Sequence, residues 1–196
     1  MTLNDRSTIL SLLETRRSGR PREMVAPGPS EAEMARILTI AARTPDHGKL
    51  FPWRFVTVDR DQRGALADLL ARALPEHDPD ALPAHYAKAL EFAHQAPALV
   101  VLVAAPIADH KIPLWEQELS SGAAGMNLLL AAHGLGYVGG WITGWAAYSE
   151  RVRAAFCGPG ERIAGFLFIG TASVELEERS RAPLATVARS WVPPTA

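Results

Sequence analysis

Cysteine is all but absent from this chain. The single thiol, Cys157, excludes an intrachain disulfide and fits a reducing, cytoplasmic compartment. Net charge is equally scarce: 20 basic against 21 acidic residues leave a formal −1, which gives no general reason to expect nucleic acid or an anionic membrane as a partner. Long hydrophobic runs are missing too. The longest apolar stretch, Gly122 to Leu135, contains Asn127 and His133 and is too short to span a bilayer, and the polar, interrupted Met1 to Leu13 reads as no signal peptide. No HExxH or paired cysteine supports a metal site, and His77, His85 and His94 straddle a proline-broken turn. No G-x-S-x-G elbow supports a serine nucleophile. Glu116 and Glu118, two apart on a helix, point to different faces and form no acid–base dyad. There is no repeat, linker or low-complexity tract. What remains is 48% hydrophobic and 21% charged over 196 residues, an ordinary globular composition for one domain spanning residues 1–196.

Helices and strands alternate along it. Asn4 to Glu14 carries Ile9, Leu10, Leu12 and Leu13 on a helical spacing, which predicts one buried face. Ser30 with Glu33 is a capping box opening a helix through Met34, Ile37, Leu38 and Ala41, and Asp59 with Gln62 opens another through Leu66, Leu69 and Leu70. Phe51 to Val58 reads as a strand entered through an aromatic-proline elbow, and Ala98 to Ala104 as a strand buried on both faces, since its apolar residues do not alternate. A helix over Ala84–Ala93 precedes it. Pro113 to His133 is the longest helix, with Leu114, Met126, Leu129 and Leu130 as expected core and Ser120 to Gly125 as a run of small residues. Small side chains there allow a second backbone to approach closely. A strand through Tyr137 to Trp141, a short helix near Glu150, a strand over Ile163–Gly170 and a polar tail from Glu175 to Ala196 complete an α+β or α/β order.

Three segments concentrate chemistry. Arg16-Arg17-Ser18-Gly19-Arg20 sets three guanidinium forks and a hydroxyl where a helix gives way to loop. Such forks match phosphate oxygens, each charge-assisted contact being worth roughly 1.5–3 kcal/mol, although arginines at a helix end also simply offset its dipole. Arg43 to Phe55 combines a helix end, a turn at Asp46 and a strand start, which leaves Arg43, His47 and Lys49 without a structural purpose. Gly134-Leu135-Gly136-Tyr137-Val138-Gly139 matches the literal GxGxxG fingerprint, yet a helix leads in and a strand leads out. That is the reverse of a dinucleotide site, so Gly134 reads as the left-handed residue that stops the helix.

Taken together and in this order, R-R-S-x-R (Arg16–Arg20), R-x-P-D-H with P-W-R-F (Arg43–Phe55), and W-E-Q-E (Trp115–Glu118) followed by the glycine-rich turn into Trp141 resemble the nitroreductase family, and within it the short YdjA-type branch. The likeness runs from about Leu10 to Gly170. It implies an α+β fold, a mainly antiparallel or mixed central sheet flanked by helices, an obligate homodimer, and one FMN in each of two interface clefts. Carried over, Arg16, Arg17 and Ser18 would hold the flavin phosphate and ribityl chain, with Arg181 as an extra phosphate partner. Arg43 and His47 would reach it from the other subunit, and Trp141, Ile142 and Thr143 would line the ring. Ala131, Ala132, His133, Gly134, Leu135 and Gly136 match a segment associated with NAD(P). The implied activity is an FMN-dependent oxidoreductase carrying hydride from NAD(P)H to a small nitroaromatic or quinone acceptor, with no named catalytic side chain. Ile142 and Phe51 replace the arginine and glutamine of the branch pattern. That departure keeps open a different flavin chemistry on the same fold, or a flavin-binding protein without NAD(P)H turnover.

Overall fold

The computed structural model describes residues 2–194; Met1, Thr195 and Ala196, the last two being the end of the expected polar tail, lie outside the described residues. Its centre is a five-stranded sheet in which every pairing is antiparallel. The long β5 (Arg162–Ala172) is the axis. On one side it pairs with β3 (Ala98–Ala104), which pairs in turn with β2 (Trp53–Thr57). On the other it carries β4 (Val138–Ile142) and, at its C-terminal end, the two-residue β1 (Met24–Val25).

Side chains alternate across a strand, and here both faces are covered. Val101, Val103, Phe166 and Phe168 meet α3 (Arg63–His77), α4 (Pro83–His94) and α6 (Glu150–Phe156) through Leu66, Leu70, Ala89 and Val152. Val100, Leu102, Leu167 and Ile169 meet α2 (Glu31–Ala41) and α5 (Leu114–Gly134) through Ile37, Ala124 and Leu128. This three-layer arrangement is why β3 reads as an uninterrupted apolar run. Phe92 of α4 stands edge-on to both Phe166 and Phe168 at 5.2 Å, and burying each such ring contributes about 1.5–3 kcal/mol.

The capping signals are realised. Ser30 Oγ accepts from Glu33 N while the Glu33 carboxylate accepts from Ser30 N; at the second start Asp59 N donates to Gln62 Oε1 and Gln62 N to Asp59 O. Three expectations are corrected. The N-terminal helix, α1, spans only Ile9–Thr15, and its Ile9, Leu10 and Leu13 are 79%, 69% and 50% exposed, so within one protomer the covered side is carried by buried Thr15 and half-buried Leu12 and not by the apolar run. Leu114 and Met126 are likewise exposed, because the sheet-facing side of α5 is carried by Ala124, Leu128, Leu129 and Ala132. The left-handed residue after α5 is Gly136 (φ 98°), not Gly134: Gly136 N donates to His133 O and Tyr137 N to Ala132 O, the paired bonds of a Schellman closure.

Candidate functional site

The arginine loop is built by its neighbours. Asn4 brackets it, donating from Nδ2 to Arg17 O at 3.1 Å and accepting from Arg17 N at 2.8 Å, while Asp5 N donates to Thr15 Oγ1. On its far side Gly19 N donates to Gly139 O at 3.2 Å, seating the loop on β4. A side chain at Gly140 would place its Cβ 2.7 Å from Gly19 O, so this approach needs glycine. Arg17 spends its guanidinium on carbonyls, Glu177 O at 2.7 Å and Ser18 O at 3.0 Å. Arg16 does not: its Nη1 donates to Ser18 Oγ at 3.2 Å, and no carboxylate among the described residues pairs with it. Arg181 arrives from the tail, donating to Arg16 O at 3.1 Å and pairing with Glu178 at 2.9 Å. Burial, then the charges of Arg181 and Arg17, pull the Arg16 guanidinium below its ordinary value, with Glu178 only partly offsetting them. The fold has thus gathered Arg16, Arg17, Ser18 and Arg181 into one positive cluster in which Glu178 pairs with Arg181. A cavity of about 180 Å³ opens beside Arg17, Ser18, Gly19 and Arg20, closed by Glu23 and the stretch 174–177.

The second segment is sewn onto α5. Ser120 Oγ donates to Pro45 O and Ser121 Oγ to Pro52 O, both at 2.6 Å, and Asn127 Nδ2 donates to Thr44 Oγ1 at 2.8 Å. Small polar residues in the middle of α5 therefore have a job within the protomer. Asp46 accepts from Phe51 N, and the loop bends through left-handed Gly48, Lys49 and Phe51. Arg43 is exposed, and Phe51 is 67% exposed. His47 Nδ1 donates to Glu116 Oε2 at 2.8 Å. Three residues of the W-E-Q-E run are then accounted for: Glu116 orients His47, buried Gln117 bonds Ile107 N, Ile107 O and Ile112 O, and Glu118 pairs with Arg162, while Trp115 is 65% exposed. The opposed directions of Glu116 and Glu118 were legible from spacing; their partners were not. No hydrogen bond or ion pair among the described residues joins Arg43 or His47 to the arginine loop.

At the end of β4, Trp141 and Ile142 point to opposite faces. The Trp141 indole lies over Gly125 and Gly165, which have no room for a side chain, and its Nε1 donates to Ala164 O at 3.0 Å. Ile142 and Thr143 instead line a largely apolar cavity of about 190 Å³ with Lys88, Phe92 and Trp145. Ala131, Ala132 and His133 are buried at 7%, 0% and 0% exposure, so within the protomer they have no surface to offer a nicotinamide; only Gly134 and Gly136 of that segment are exposed. Burial, and secondarily Arg16, depress the His133 imidazole to about 4, while its Nε2 accepts from Gly139 N at 3.0 Å. Three of the other four histidines have different company: His77 stacks on Trp145, His85 Nδ1 lies 3.1 Å from Asp78 Oδ2, and His110 Nδ1 accepts from Ile112 N. No cluster of three potential metal-ligating side chains occurs, and no helix is long and apolar enough to cross a membrane, among the described residues.

Comparison with known proteins decides the family. The model of the nitroreductase family matches residues 13–171. This chain belongs to the nitroreductase family. It is 36% identical over 176 residues to a protein of Haemophilus influenzae provisionally named an NAD(P)H nitroreductase, covering 88% of this chain and 92% of that one. It is 32% identical over 175 residues to YdjA of Escherichia coli K12, provisionally named likewise, covering 89% and 93%. Among solved structures, the nitroreductase-like protein from Bacillus cereus superimposes with a TM-score of 0.79 at 21% identity, over 94% of this chain and 96% of that one. NfnB from sphigopyxis sp. strain HMH, an FMN- and NADPH-dependent nitroreductase, gives 0.70 at 21% identity over 91% and 96%. These structural likenesses establish the α+β fold of this nitroreductase-family enzyme.

Proposed function

We propose that this enzyme is an FMN-dependent oxidoreductase that uses NAD(P)H to reduce a small acceptor, and that it works as a homodimer. One observation carries the reading: Arg16, partly buried and without a carboxylate, donates to the Ser18 hydroxyl within the field of Arg17 and Arg181. A phosphate monoester is an anion that such a planar, multi-donor set recognises well, and FMN bears one. Bound there, FMN would supply the two-electron chemistry, accepting hydride from the nicotinamide and handing it to the acceptor. The protein's share is placement. Asn4 and Gly139 hold the arginine loop in register, and Ser18 adds a neutral hydrogen-bonding group. Ile142 and Thr143, in the wall of the largely apolar cavity of about 190 Å³, would line the flavin ring.

The second subunit is supported by what one chain leaves open. Trp115, Leu119, Gly122 and Met126 lie at helical spacing on one side of α5, exposed, and Gly122 has open space where a side chain would stand. Ile9 and Leu10 of α1, and Leu184, Val187 and Trp191 in the tail, are also exposed. So much apolar surface on one chain supports the reading that a second copy covers it. It would also bring the partner's Arg43 and His47 to the flavin, which nothing in a single protomer does. The direct test is the visible spectrum of purified protein given FMN. A bound flavin absorbance that NADH or NADPH bleaches anaerobically is expected. Flavin that dithionite bleaches and neither nicotinamide does would favour a flavin-binding protein without turnover, the reading to which replacement of arginine by Ile142 points.

A further inference from the structure

His133 was matched by resemblance to a nicotinamide-associated segment, and the fold gives it something else to do. We propose that His133 is a positioning residue for the phosphate end of the flavin site, acting through Gly139 on the arginine loop. The inference rests on the FMN reading above.

The path is short and continuous. His133 is the next-to-last residue of α5 and is 0% exposed. Its Nε2 accepts from Gly139 N at 3.0 Å, and Gly139 O accepts from Gly19 N at 3.2 Å. One residue of β4 is therefore held from both sides, by the imidazole and by the loop that carries Arg16 and Ser18. A Cβ at position 139 would stand 2.7 Å from Leu129 Cδ2 and 3.7 Å from His133 Nε2, so glycine keeps this approach close. Accepting at Nε2 fixes the tautomer, so Nδ1 carries the proton. That Nδ1–H is buried and has no hydrogen-bond partner among the described residues.

An unpartnered donor inside a core is a cost that leucine would avoid, so packing alone does not account for histidine here. The same imidazole lies within electrostatic reach of Arg16 and stays neutral beside it. His133 thus meets the phosphate cluster twice, through the Gly139–Gly19 chain and through the field of Arg16. An anion on Arg16 changes that field at His133 directly, while a ligand lacking the anion does not.

The experiment compares FMN with riboflavin, which has the ring and the ribityl chain but no phosphate. Wild-type protein should bind FMN more tightly. His133→Leu should lose about tenfold in FMN affinity, the worth of one hydrogen bond, with riboflavin affinity unchanged; His133→Gln, whose amide oxygen can still accept from Gly139 N, should recover much of the loss. Equal weakening toward both flavins, or no weakening toward FMN, overturns the proposal while leaving the phosphate reading intact. Wild-type protein that binds the two flavins equally removes the phosphate reading and this inference with it. Should the leucine variant fail to fold, ¹⁵N spectra of histidine-labelled wild type decide. The His133 Nδ1–H resonance should move on adding FMN and not on adding riboflavin, and an FMN shift no larger than the riboflavin shift is contrary.

Discussion

Glu116 accepts a hydrogen bond from His47 at 2.8 Å across 69 residues of sequence, and this bond fixes which way the His47 ring faces. A carboxylate on Nδ1 leaves Nε2 turned outward and sets the tautomer. Both side chains are well exposed, 65% and 44%, so the pair does little for folding. Glu116→Gln should change unfolding free energy by no more than about 0.5 kcal/mol, while weakening FMN retention in the dimer. Thermal denaturation and flavin titration on the same variant separate the two effects.

Gly140 is the seat of the arginine loop. A methyl group there would stand 2.7 Å from Gly19 O, a backbone atom that can yield only by moving the loop. Gly140→Ala should therefore reduce FMN affinity by about tenfold or more, roughly what one displaced charge-assisted hydrogen bond is worth, in a protein whose far-ultraviolet circular dichroism is unchanged.

The exposed side of α5 should fail differently. Leu119→Glu places a charge in the middle of the apolar stripe formed with Trp115 and Met126. Sedimentation velocity should show wild type as a dimer and this variant as a monomer, and the monomer should lose flavin if, as proposed, Arg43 and His47 reach it from the other chain.

Acid should destabilise the protein through His133. Its folded value is about 4 against an unfolded 6.5, so the unfolded chain binds the extra proton first. Stability is unaffected by this group above pH 6.5, falls as pH drops from 6.5 toward 4, and levels below that, for a loss of roughly 3 kcal/mol. Urea titrations at about pH 7 and pH 4.5 should show a smaller difference in His133→Gln than in wild type.

The sequence made the local elements legible because their signals are local. The Ser30–Glu33 and Asp59–Gln62 boxes lie within one turn, and β3 is apolar throughout because two helical layers cover it. Two kinds of feature were not legible. Periodicity marks Ile9, Leu10 and Met126 as apolar-face residues and is silent on whether that face meets its own core or another chain. Long-range polar partners leave no pattern: nothing near Glu116 names His47, and nothing near Ser120, Ser121 or Asn127 names the loop 44–52. For the candidate site, Arg16, Arg17 and Ser18 were found as a run, whereas Asn4, Gly139 and Gly140, which hold that run in place, are visible only once the chain is folded.

The proposed grip of Arg16 on a flavin phosphate is tested most directly by titrating FMN into Arg16→Ala and Arg17→Ala beside wild type. Arg16→Ala should cost about 30- to 100-fold in affinity, as removal of a charge-assisted hydrogen bond does, with the unfolding transition nearly unmoved. Arg17→Ala should cost less affinity and more stability, because that side chain is spent on Ser18 O and Glu177 O. Undiminished FMN binding by Arg16→Ala would contradict the account.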